Sequence, residues 1–113
     1  MIVKRVFFGY FGAVLLMILA THGSIANDKA TSNEVVIDRF SFRPDRLKVS
    51  VGTTVTWINR DDVPHAVISR DKKTIVSPAM DTDGKFSYTF IVAGTNDYYC
   101  SVHPFMKGRI IVQ

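Results

Sequence analysis

One cysteine, Cys100, is the only thiol in this 113-residue chain. A single copy rules out an intramolecular disulfide, so no framework of bridges holds the fold. Histidine is nearly as scarce, with three copies, and tryptophan occurs once. No block of like charge and no basic tract interleaved with aromatics is present, which leaves no footprint for nucleic acid. From residue 27 onward there is no convincing helical periodicity, no internal repeat and no low-complexity tract. The one long apolar run, Val6 to Ala20, lies at the start and carries no charge.

That run follows the basic stretch Met1-Ile2-Val3-Lys4-Arg5 and precedes the small-x-small triplet Ser24-Ile25-Ala26. The order predicts a secretory signal peptide over residues 1–26. A retained membrane anchor is the alternative, but a span wants ~20 apolar residues and this run has about 15. Removing 26 of the 113 residues leaves 87, expected as one domain over 27–113. Lys4 and Arg5 leave with the segment. Lys+Arg then falls from 14 to 12 against 10 Asp+Glu, so the net charge drops from +4 to about +2. His22, Met1 and Met17 leave too, so the remaining chain keeps His65, His103, Cys100, Met80 and Met106. An exported lone cysteine then pairs between molecules, lies buried and inert, acts as a nucleophile, or binds a metal.

The pattern of residues 33–113 has period two. Val35 and Ile37, Phe40 and Phe42, the series Leu47, Val49 and Val51, Val55 and Trp57, and Phe86, Tyr88 and Phe90 each alternate with other residues. These read as half-buried strands. Turn signals separate them at Arg43-Pro44-Asp45, Val51-Gly52-Thr53, Asp83-Gly84, Ala93-Gly94-Thr95 and Lys107-Gly108. Seven or eight short strands at this spacing predict an all-β, antiparallel sandwich with Greek-key links. Thr95 to Cys100 and Arg109 to Val112 read as the last two strands, and His65 to Ser69 as another. Asp71 to Asp83, the least patterned part, reads as a long connection. Trp57 is expected in the core, and Tyr98 and Tyr99 on opposite faces of their strand.

Cys100-Ser101-Val102-His103-Pro104-Phe105-Met106 places a thiolate, an imidazole and a thioether three residues apart, with His65 upstream. One Cys, two His and a Met form the ligand set of a type 1 copper site: trigonal His₂Cys with a weak axial Met. Thiolate and thioether suit Cu(I), and imidazole suits either oxidation state. Zinc would accept the Cys and both His but has no use for Met106. A Cys–His nucleophile pair lacks any sign of an oxyanion hole or a substrate cleft. Asn59, six positions before His65, is expected to donate to the Cys100 sulfur or to tie the ligand loops together. Met80 is read as packing near the ligands.

At these residues the chain resembles the cupredoxins, the type 1 blue copper proteins of the plastocyanin-like group, and among them the amicyanins. The likeness is carried by Thr56-Trp57-Ile58-Asn59-Arg60, Pro64-His65, Ser87-Tyr88-Thr89-Phe90, Ala93-Gly94-Thr95, Asp97-Tyr98-Tyr99-Cys100, and Cys100-x-x-His103-Pro104-Phe105-Met106-x-Gly108. The resemblance implies an eight-stranded sandwich with one copper ion at one end, bound by His65, Cys100, His103 and Met106. It implies a solvent-reaching His103 edge within an apolar patch of Val63, Pro64, Met80, Pro104 and Phe105. It further implies a monomeric periplasmic shuttle of single electrons, not an enzyme, with an amine dehydrogenase as donor and a c-type cytochrome as acceptor. A periplasmic copper carrier or sequestration protein on the same scaffold is the alternative. The chain departs from the amicyanin pattern at Ala66, where Asn is expected, and at Val102, where Pro is usual. If the Val102 N–H reaches the Cys100 sulfur, it should favour the reduced state.

Overall fold

The computed structural model describes residues 33–113 and, of the leading segment, only Gly9 and Gly12. The expected signal peptide and its cleavage site lie outside the described residues. Eight strands follow: β1 (Glu34–Asp38), β2 (Ser41–Arg43), β3 (Arg46–Val49), β4 (Thr53–Asn59), β5 (Ile68–Ser69), β6 (Lys85–Phe90), β7 (Gly94–Tyr99) and β8 (Lys107–Val112). They form two four-stranded sheets, ordered β2-β1-β4-β6 and β3-β8-β7-β5. The chain passes repeatedly from one sheet to the other, which yields the expected sandwich.

The sheets are mixed rather than purely antiparallel. β1 runs parallel to β4, and β3 runs parallel to β8. The chain changes sheet between β2 and β3 and again between β3 and β4, so these pairs meet without a hairpin. Sequence alternation gives which residues face inward but not the direction of a neighbour, because both pairings share period two.

Alternation does place the core. Val35, Ile37, Val55, Trp57 and Phe90 come from one sheet, and Leu47, Val49, Tyr98, Ile110 and Val112 from the other; all are buried. The aromatic contacts Phe42–Tyr98 (4.8 Å) and Trp57–Tyr98 (5.4 Å) join the sheets. Each such side chain, fully buried, contributes roughly 1.5–3 kcal/mol relative to exposure. Gly108 pairs with Tyr98 across β7–β8, and a Cβ there would lie 2.2 Å from the phenol ring. The tyrosine therefore lies over a position that only glycine can occupy. As expected, Tyr98 is buried and Tyr99 less so.

Three local expectations are corrected. Val51 is exposed, because β3 ends at Val49 and Gly52 (φ 91°) turns the chain into β4. Of His65–Ser69, only Ile68 and Ser69 form a strand; His65 instead makes an isolated bridge to Met80. Phe40 is no strand residue but sits in the two-residue turn between β1 and β2. The 71–83 connection is ordered by its own packing. Ile75 is fully buried and Val76 bridges to Ile68. Asp71 accepts from the Lys73 and Thr74 N–H groups, each at 2.9 Å.

Candidate metal centre

Cys100 is the residue after β7 and is fully buried. Its N–H donates to the Met106 carbonyl (3.1 Å), and the Met106 N–H donates to the His103 carbonyl (2.9 Å). These bonds close the loop between β7 and β8 on itself. His65 enters from the β4–β5 loop. Its N–H donates to the Met80 carbonyl (3.2 Å) and its carbonyl accepts from the Met80 N–H (2.7 Å).

The two loops bring three side chains to one point. His65 Nδ1 and His103 Nδ1 are 3.2 Å apart, and Cys100 Sγ lies 3.7 Å from the first and 3.9 Å from the second. A first-row metal about 2.0 Å from imidazole nitrogen and about 2.3 Å from sulfur, in a trigonal plane, would set these edges at about 3.5 and 3.7 Å. The triangle fits such an ion. His65 and Cys100 are fully buried and His103 is half-buried. Met106, 2% exposed, ends the loop and joins it through its backbone bonds to Cys100 and His103.

Asp61 orients the first imidazole. Its Oδ2 lies 2.7 Å from His65 Nε2. The same carboxylate accepts from the Arg39 N–H (2.7 Å) and the Phe40 N–H (3.0 Å). An acceptor on Nε2 keeps the proton there and leaves the Nδ1 lone pair facing the cluster. Burial alone would raise the Asp61 pKa. The bonds from Phe40, Arg39 and His65 outweigh it and hold the carboxyl below its ordinary range. No motif or alternation in the sequence singles out Asp61. Its place four residues before His65 is the signal that marks it.

Asn59 ties the loops together but does not reach the sulfur. Its Nδ2 donates to the Val63 and Met80 carbonyls, both at 2.9 Å, and its Oδ1 accepts from the Asp61 N–H (2.9 Å). The backbone donor on Cys100 Sγ is Ala66 N–H, at 3.4 Å. The structure shows no bond to that sulfur from Val102, whose side chain is exposed. Met80 is buried in the core, so it is no part of an exposed patch.

Phe40 is the aromatic that sequence reading misplaced. Its ring meets both imidazoles edge-on, with centroids 5.4 Å from His65 and 5.1 Å from His103, and it lies 6.4 Å from Phe105. Arg39 (φ 49°) and Phe40 (φ 55°) are both left-handed, a backbone state that costs roughly 1–2 kcal/mol per non-glycine residue. Asp61 holds both of their N–H groups, which offsets part of that cost. Half-buried His103 lies between exposed Val102 and Pro104 in the chain, and the exposed rings of Phe40 and Phe105 flank it.

A family model for copper binding proteins of the plastocyanin/azurin family matches residues 29–113. The chain is 34% identical over 101 residues to an amicyanin of Paracoccus denitrificans, covering 84% of this chain and 77% of that protein. It is 30% identical over 107 residues to amicyanin-alpha of Methylorubrum extorquens, covering 91% and 90%. Among solved structures, the Cu(I) form of an amicyanin variant superposes with a TM-score of 0.66 at 39% identity, over 71% of this chain and 80% of that one. A purple cupredoxin from Nitrosopumilus maritimus gives 0.64 at 34% identity, over 71% and 98%.

Fold, donor triangle and family match define one class: the chain belongs to the plastocyanin/azurin family of copper-binding proteins, and its cofactor is a copper ion. Within that family it is an amicyanin-like cupredoxin, a blue copper protein of electron transfer.

Proposed function

We propose that His65 Nδ1, Cys100 Sγ and His103 Nδ1 would hold this copper, with Met106 completing the donor set, and that the protein shuttles single electrons between periplasmic redox partners. The observation that carries the reading is the buried triangle of 3.2, 3.7 and 3.9 Å between three donors on two tied loops. Copper supplies the one-electron change. The chain supplies a cage that hardly moves. Ala66 N–H steadies the sulfur, Asp61 fixes the His65 ring, and Asn59 ties Val63 to Met80. Half-buried His103, ringed by apolar side chains, is the edge where electrons enter and leave. Transient partners use small surfaces of this kind.

The finer reading follows the resemblance. Residues 1–26 are a cleaved signal peptide, and 27–113 form the copper domain, monomeric in the periplasm. An amine dehydrogenase is the donor and a c-type cytochrome the acceptor. The protein is no enzyme: Cys100 is 0% exposed and cannot meet a substrate. The same burial separates a shuttle from a copper carrier, which needs exchangeable ligands. Cyclic voltammetry in the presence of a strong Cu(I) chelator tests this. A reversible one-electron couple that survives repeated cycling is expected. Rapid loss of copper to the chelator would establish a carrier instead.

A further inference from the structure

A groove flanks the ligand loop, walled by Arg46, Arg70, Lys107 and Arg109, with Tyr99 and Pro104 lining it on the side of the donor cluster. Two carboxylates, Asp45 and Asp97, also line it, so cations exceed anions by two. The Asp97 charge is already taken up. Arg109 Nε and Nη2 meet its two oxygens at 2.6 and 3.2 Å. The Arg109 hydrogen bond, with further help from Arg70 and Arg46 that line the same groove, outweighs burial and holds the Asp97 carboxyl below its ordinary range. Arg46, Arg70 and Lys107 are exposed and make no ion pair among the described residues. Tyr99 directly precedes Cys100, and Pro104 directly follows His103, so an occupant of the groove would lie one residue from two donors.

Resting on the copper reading above, we propose that this groove docks an acidic protein surface. The partner would present Asp or Glu side chains to Arg46, Arg70 and Lys107 while its redox centre faces the His103 edge. Guanidinium forks suit carboxylates in pairs. A flat anionic membrane could not enter the concavity, and Asp45, which makes no ion pair among the described residues, would repel a continuous sheet of phosphates, whereas separate carboxylate side chains can pass beside it. Charge complementarity of this kind sets encounter rate and salt dependence.

The test titrates the reduced, copper-loaded protein with polyglutamate at low ionic strength, following backbone amide shifts. The parent's oxidised visible spectrum is recorded separately. Shifts are expected at Arg46, Arg70, Tyr99 and Lys107, fading as salt is added. The double variant Arg46→Glu/Arg70→Glu should weaken binding by about tenfold or more. Lys73→Glu/Lys85→Glu, with the same change in net charge, should weaken it less than about threefold. No binding, shifts centred elsewhere, or equal losses in both double variants would overturn the proposal. Tighter binding to phosphatidylserine vesicles through the same residues would assign the groove to a membrane and overturn it too. A failed copper reading shows separately as a missing thiolate band, which leaves the binding map readable.

Discussion

Asp61 holds three donors at once: the His65 ring and the N–H groups of Arg39 and Phe40. Removing it strands the fully buried His65 ring N–H, where an unpaired donor costs about 1–3 kcal/mol, and frees the two left-handed N–H groups at the exposed turn. Asp61→Ala should therefore lower unfolding free energy by about 2–4 kcal/mol in denaturant titrations, and Asp61→Asn by less. At Arg39 the native side chain works against the fold. Its φ of 49° suits glycine, so Arg39→Gly should raise stability by up to about 1 kcal/mol. Tyr98 Oη is buried without a hydrogen-bond partner among the described residues, and burial pushes its phenol well above the ordinary range. The Trp57 indole N–H, buried beside it and likewise without a bond of good geometry, still opposes part of that rise, so Tyr98→Phe should change stability by less than about 1 kcal/mol in either direction, by the same titration. The residues that chemistry marks, His65, Cys100 and His103, were legible from type and spacing, and the fold brings their donor atoms together. Asp61 and Phe40 were not, because their roles depend on a turn between two strands meeting a loop some twenty residues away. No Asn-Gly or Asp-Gly pair announces that turn.

Strands with strict alternation were legible, since β1 and β3 each bury one face. β5 was not. It is two residues long, and the His65 end of that stretch is diverted into a bridge with Met80. The 71–83 connection lacked a period because side-chain bonds organise it. Asp71 accepts from Ser69 Oγ (2.6 Å), from the Lys73 and Thr74 N–H groups and from the Thr74 hydroxyl. Those bonds hold the Asp71 carboxyl far below its ordinary range, and Arg109 lowers Asp97 likewise between β7 and β8. For a carboxyl depressed in the folded state, the stabilisation is complete above the unfolded pKa and is lost as pH falls through the folded one. Stability should therefore be level above pH ~5 and fall below pH ~4. Asp71→Asn should be less stable at neutral pH and show a shallower fall in acid, measured by thermal unfolding across pH. At β8, Gly108→Ala would drive a methyl into the Tyr98 ring and should cost about 1–3 kcal/mol.

At the scale of the whole molecule, two mixed sheets carry a copper site on loops between their strands. Period-two patterning made the sandwich legible. The parallel pairs β1–β4 and β3–β8 were beyond it, because strand direction is set by which sheet the chain enters next. Electron transfer by this molecule requires that the Cys100 thiolate, with His65 and His103, bind copper. The most direct measurement of that binding is the visible spectrum of the purified protein loaded with Cu(II), beside a Cys100→Ser variant treated identically. An intense thiolate-to-copper band near ~600 nm in the parent, absent from the serine variant, is the predicted result. A colourless or pale parent, or a band that survives loss of the thiol, would contradict it.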